Sequence, residues 1–135
     1  MTIALDTSAL LAIVLGEEDA SHFARVIAEN VGDLHVSAAT LVEAMIVAEA
    51  RQGPAATQDL EALISRARVT VAPFDTAQAS IATAAWRRFG KGRHAASLNM
   101  GDCYSYALAR SLGSLHGPHQ LLPVPRRDRR RRRLP

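Results

Sequence analysis

A chain of 135 residues, 48% of them hydrophobic, is sized for one domain with a substantial core. Its single cysteine, Cys103, excludes an internal disulfide framework and argues against a thiolate zinc site, and no apolar run approaches the roughly 18–20 residues of a membrane span. The net charge of +3 misleads, because the last ten residues, RRDRRRRRLP, hold seven arginines and one aspartate; the rest of the chain has 9 basic against 12 acidic residues and is mildly acidic.

The opening TIAL reads as a short buried strand, and Asp6 falls at its carboxyl end. No basic region precedes this apolar stretch, so it does not read as a secretory signal, and a cytoplasmic setting is expected. A helix is predicted from about Thr7 to Leu15, with Gly16 as its stop. GEEDASHFARVIAEN predicts a second helix, with Glu17, Glu18 and Asp19 at the positive end of its dipole. LHVS, residues 34–37, predicts a strand, and Ser37 can cap a helix from about Ala38 to Gln52 that ends at Gly53-Pro54. A further helix is predicted over about Ala55–Arg68, a strand over 69–74 (VTVAPF) and a helix over Thr76–Phe89. The basic, glycine-containing loop GKGRHAASLN leads to a last helix from Gly101 to Leu112, which Gly113 stops.

Strands alternating with helices imply parallel strands joined by helical crossovers, in a layered α/β fold. Ligands in such sheets bind beyond the carboxyl ends of the strands, where Asp6 lies. The expected domain covers residues 1–122, with its last-strand region in doubt from about 114. Residues 123–135 form a basic tail too polar and proline-rich to pack.

Three acids stand in unusual places. Glu43 lies inside VSAATLVEAMIVAEA, and its helical neighbours Ala39, Thr40, Ile46 and Val47 are largely apolar. A lone buried carboxylate is costly unless it is paired or binds metal; the alternative is a position at the edge of the buried face, reaching water. Asp102 opens the helix GDCYSYALAR, where an N-cap role is the alternative, as it is for Asp6 ahead of the first helix. Placed at one edge of the sheet, the three suit a hard divalent cation, which takes oxygen ligands. Metal-bound carboxylates of this kind support phosphodiester hydrolysis by activating a water and stabilising the leaving oxygen.

LDTSALLAIVLGE, VSAATLVEAMIVAEAR and GKGRHAASLNMGDCYSYALARSLG together resemble PIN-domain ribonucleases of the VapC toxin family, over about residues 1–113. The resemblance implies a PIN-like three-layer α/β/α domain around a central parallel sheet. It implies an Mg²⁺-dependent endoribonuclease, with Mn²⁺ able to substitute, acting as the toxin of a type II toxin–antitoxin pair. It implies transfer or ribosomal RNA as substrate, a cognate VapB-type antitoxin and a homodimer. By position, Asp6, Glu43 and Asp102 match the family's catalytic and metal-binding acids. Ser8 or Thr7 would shape the site beside Asp6, and Asn99 would support the loop before Asp102.

One departure is clear. Members of the family continue with a last strand, a glycine–acid–phenylalanine segment and often a Thr-Asp pair, whereas this chain reads SLHGPHQLLPVPRRDRRRRRLP. Its only acid after Asp102 is Asp128, set among arginines and not assigned to the site. We hypothesise a change of reading frame near Ser114, since CGN arginine codons read one base later give Ala, Val, Asp, Gly or Glu; a gene sequence with no alternative frame encoding a glycine–acid–phenylalanine ending would remove the idea. On this basis the sheet is expected to lack an edge strand and the site a fourth acid. The alternative function is a catalytically degenerate PIN-domain protein that binds antitoxin or RNA without cleaving.

Lys91, Arg93 and His94 precede Asp102 in a loop that either contacts RNA phosphates or is simply solvated. Arg87 and Arg88 read as the wet face of a helix, Tyr106 as core or as a border of the site, and His116 and His119 as unrelated to metal. With 4% aromatic residues, base stacking is not expected as the main mode of RNA binding. The arginine tail either binds nucleic acid by counterion release or is a translated accident.

Overall fold

Strand β1 (Ile3–Leu5) lies inside a four-stranded parallel sheet of order β3-β2-β1-β4, in a computed structural model that describes residues 2–90, 92, 97–113 and 121–122. In chain order the other elements are α1 (Thr7–Val14), α2 (Ala20–Glu29), β2 (Leu34–Ser37), α3 (Ala38–Gln52), α4 (Pro54–Arg66), β3 (Thr70–Ala72), α5 (Thr76–Phe89), α6 (Met100–Ser111) and β4 (Leu121–Leu122). Ile3 pairs with Leu34 and Leu5 with Val36, while on the other edge Ala4 pairs with Leu121 and Leu5 with Leu122.

Alternation along β1 creates the layers. Leu5 joins Leu34 and Val36 of β2 in the larger core, with Leu10 and Leu11 of α1, Ile27 of α2, Ala44 and Ala48 of α3 and Leu60 of α4. Ala4 faces the other way, onto Leu108 and Ala109 of α6. Helix α5 then packs outside α6 through Ala82 against Cys103 and Ala107. The result is the expected three-layer α/β/α arrangement, with small alanines allowing close approach of helix to sheet and helix to helix. Among the described residues no helix is long and apolar enough to cross a membrane.

Local chemistry sets most boundaries. Ser37 accepts a hydrogen bond from the Ala39 amide and starts α3 as expected. Gly53, at φ +78°, ends α3, and Pro54 begins α4 where its missing N–H costs nothing. Two expectations shift. Helix α2 begins at Ala20, so Glu17 and Glu18 lie in the preceding turn, and Glu17 instead meets Arg51 at 3.6 Å in a solvent-exposed pair. Strand β3 covers only Thr70–Ala72, because Pro73 has no N–H to extend the ladder and Phe74 packs edge-on against Tyr104.

One expectation is corrected. A strand does form at the edge of β1, as the two-residue β4 within the atypical terminal segment. Parallel pairing with β1 is a backbone property and requires no family motif.

Candidate active site

Asp6 leaves β1 in an extended conformation and occupies the N-cap position of α1, yet its side chain makes no capping bond. The capping alternative therefore fails. Both carboxylate oxygens are engaged elsewhere: Ser105 on α6 donates to Oδ1 at 2.9 Å, and Ser8 donates to Oδ2 at 3.0 Å. Behind Ser105 stands Thr40 of α3, its hydroxyl 3.4 Å away, and both residues are buried. Since Ser105 has one proton and gives it to Asp6, Thr40 is the donor in that contact. Helices α1 and α6 thus bond the carboxylate directly, and α3 supports it through Ser105.

Asp6 is 6% exposed, and burial pushes its carboxyl above its ordinary value. The Ser105 hydrogen bond pulls it back, the charge of Asp102 pushes it further up, and Ser8 and the Thr7 backbone pull it back again. The influence of Asp102 places the two acids in one electrostatic neighbourhood despite their separation in sequence.

Asp102 is the third residue of α6 rather than its cap. Asn99 takes that role: its side chain accepts from the Asp102 amide at 2.8 Å, and the Asn99 amide donates to Asp102 Oδ2 at 2.9 Å. This reciprocal capping box fixes the acid against the positive end of the helix. The expected supporting role of Asn99 takes this specific form, and the N-cap alternative for Asp102 is corrected.

Glu43 projects from α3 toward the start of α6. A Cβ on Gly101 would lie 2.5 Å from Glu43 Oε2 and 2.7 Å from Oε1, so the carboxylate sits flush against glycine backbone next to Asp102. The surrounding face of α3 is wetter than expected, with Val42 58% and Ile46 63% exposed, because no described element covers that side. Glu43 itself is half-buried, which agrees with the edge position that reaches water.

The donor chemistry suits a hard cation: three carboxylates, all oxygen, with like charges at Asp6 and Asp102 that a cation would neutralise. The buried Thr7 hydroxyl beside Asp6 adds an oxygen with no hydrogen-bond partner among the described residues. Among those residues no three acid, histidine or cysteine side chains form a ready-made metal cage. Mg²⁺ does not demand one, as it commonly takes one or two carboxylates and keeps its waters.

Ser8, expected near substrate, is exposed and bonded to Asp6. Lys91, Arg93, His94, His116, His119 and Asp128 lie outside the described residues. Cys103 is buried, and burial, followed by the Asp102 charge, pushes its thiol up, which suits a small core residue rather than a nucleophile. The sequence reading missed Ser105; the available signal was a small hydroxyl one helical turn after Asp102 within an apolar face.

The PIN domain family matches residues 3–115 of this chain. The chain is 43% identical over 109 residues to Ribonuclease VapC of Mycolicibacterium smegmatis, covering 81% of this chain and 84% of that protein. It is 43% identical over 110 residues to Ribonuclease VapC30 of Mycobacterium tuberculosis, covering 81% and 82%. In structure it is similar to Mycobacterium tuberculosis VapC20, described as a sarcin–ricin loop cleaving toxin, with a TM-score of 0.68, 22% identity and coverage of 83% and 84%.

Proposed function

From the premise that this chain belongs to the PIN-domain family and, within it, to the VapC ribonucleases, we propose that it is a divalent-metal-dependent endoribonuclease, the toxin of a type II toxin–antitoxin pair. The observation that carries the chemistry is the Asp6 carboxylate. It is buried at the end of an interior strand, held at both oxygens, and set beside a second carboxylate that disfavours its charge. Such an arrangement is costly for a purely structural acid and useful for an acid that binds a cation.

Asp6 and Asp102 would hold Mg²⁺ or Mn²⁺, with Glu43 as a further ligand or as the group that orients the attacking water. When bound, the ion acidifies a coordinated water and stabilises charge on the leaving oxygen of the phosphodiester. The chain's own residues do the rest. Ser105 and Ser8 keep both Asp6 oxygens from rotating away. The Asn99 amide restrains one oxygen of Asp102. Glu43, beside Gly101 and within reach of water, accepts a proton at its carboxylate or fixes the position of the water. Transfer or ribosomal RNA is the proposed substrate class, a VapB-type antitoxin the proposed inhibitor, and a second copy of the chain the proposed dimer partner, on the strength of the relatives' identity.

The direct test incubates the purified chain, free of antitoxin, with total cellular RNA, with and without Mg²⁺ or Mn²⁺, beside Asp6→Ala. Discrete metal-dependent fragments that the variant does not produce support the reading. A folded chain that cuts nothing would sink it and favour a PIN-domain protein that binds without cleaving.

A further inference from the structure

Asp102, Tyr106 and Arg110 are spaced four residues apart on α6, so they form one row along the helix, with about 6 Å of rise at each step. The row leaves the acids and runs beside a groove between α5 and α6 of about 210 Å³. Arg88 and Phe89 line the α5 side, and Tyr106 and Arg110 the α6 side. The Arg88 guanidinium stands 5.0 Å from the centre of the Phe89 ring, and that ring lies 6.0 Å from the ring of half-buried Tyr106. Both arginines are exposed, and among the described residues neither forms an ion pair with a carboxylate. In a body that is net acidic once its tail is set aside, two such guanidiniums beside one aromatic pair are a local reversal of charge.

We propose that this α5–α6 groove is a binding subsite for the single-stranded RNA segment adjoining the scissile bond, with Arg88 and Arg110 on its phosphates and Tyr106 against a base or ribose. The inference rests on the ribonuclease reading and specifies where that substrate runs. Its basis is charge complementarity and continuity: the groove begins on the same helical row as Asp102 and carries cations where a polyanion leaving the acids would pass. Guanidinium planes and aromatic rings are also the groups on which unpaired bases stack. Sequence reading treated Arg88 as a wet helix face and left Tyr106 between core and site; side by side across two helices, they acquire a common use.

The test measures binding of a short fluorescein-labelled single-stranded RNA across a salt series, with Ca²⁺ as the divalent ion and RNA integrity checked on gels. Arg88→Gln/Arg110→Gln is compared with Arg25→Gln/Arg66→Gln, which removes the same charge from exposed positions on α2 and α4. The groove pair is expected to weaken binding about tenfold and to flatten the slope of log affinity against log salt by about 2. The control pair should leave the slope unchanged, and Arg88→Lys/Arg110→Lys should keep it near wild type because the charges remain. Thermal melting verifies that every variant is folded. Equal effects from both Gln pairs, or an unchanged slope in the groove pair while the wild type still cuts RNA, would overturn the subsite alone. A wild-type chain that neither binds nor cuts RNA would overturn the ribonuclease reading together with it.

Discussion

The Ser105 hydroxyl and Asp6 Oδ1 are 2.9 Å apart, in a hydrogen bond that joins residues 99 positions apart in the chain and ties α6 to the end of β1. Ser105→Ala would leave a buried carboxylate oxygen without that donor. With Asp6 holding the ion as proposed, loss of such a partner behind the ligand is expected to cost about 10–100-fold in metal affinity or activity. A Mn²⁺ titration followed by calorimetry should show weakening of about that size. Unchanged Mn²⁺ affinity in the variant, with binding lost in Asp6→Ala, would show that Ser105 only supports the fold.

Asp6 also sets a pH dependence. In the metal-free chain its raised carboxyl holds a proton more tightly when folded than when unfolded. Its contribution to stability is therefore fully present below the ordinary value of 3.8, declines as pH rises toward the raised folded value, and becomes a constant penalty above it. Asp6→Asn removes the charge, so its melting temperature at neutral pH should exceed wild type by a few degrees, on the scale of about 2–8 °C per kcal/mol. The gain should shrink as the pH is lowered, while RNA cleavage is lost throughout. A lower melting temperature than wild type at neutral pH would contradict this account.

Gly101→Ala separates activity from stability. In most helix interiors alanine is favoured over glycine by about 1 kcal/mol. Here the added methyl collides with the Glu43 carboxylate, which lies at the end of a flexible side chain and can swing aside. Melting should change little or rise, whereas cleavage should fall about a hundredfold, the scale of a misplacement of about 1 Å. Retained cleavage would remove Glu43 from the chemistry.

Asn99→Ala removes the α6 cap and frees the Asp102 amide. Urea unfolding should report a loss of about 1 kcal/mol. Asn99→Ser, which keeps a capping oxygen, should recover most of it. Equal losses in the two variants would mean that the cap is not what Asn99 provides.

What could be read from the sequence was what is local. Helices α3 and α5 follow from periodicity and from capping by Ser37 and Asp75, the latter accepting the Gln78 amide. Asp6 at a strand end was visible because β1 is a short apolar run that an acid terminates. The start of α6 was placed one residue late and its cap was left open at Asp102, because Asn99 and Asp102 are both good capping residues and only their reciprocal bonds show which one caps. The bonds from Thr40 to Ser105 and from Ser105 to Asp6 had no local signature, since each joins elements far apart in the chain. Strand β4 escaped notice for the same reason: two leucines become a strand only because β1 offers an open edge.

That position of β1, with a hydrogen-bonded neighbour on each side, has a consequence for control. Paired along both edges, the strand preceding Asp6 should exchange its backbone amides with solvent hydrogen more slowly than the edge strand β3. Asp6 is also tied to α6 by the Ser105 hydrogen bond, so its place does not rest on the strand alone. Silencing such a site while the chain stays folded therefore calls for a cover applied from outside, and removing that cover would return the acid at once, already in register.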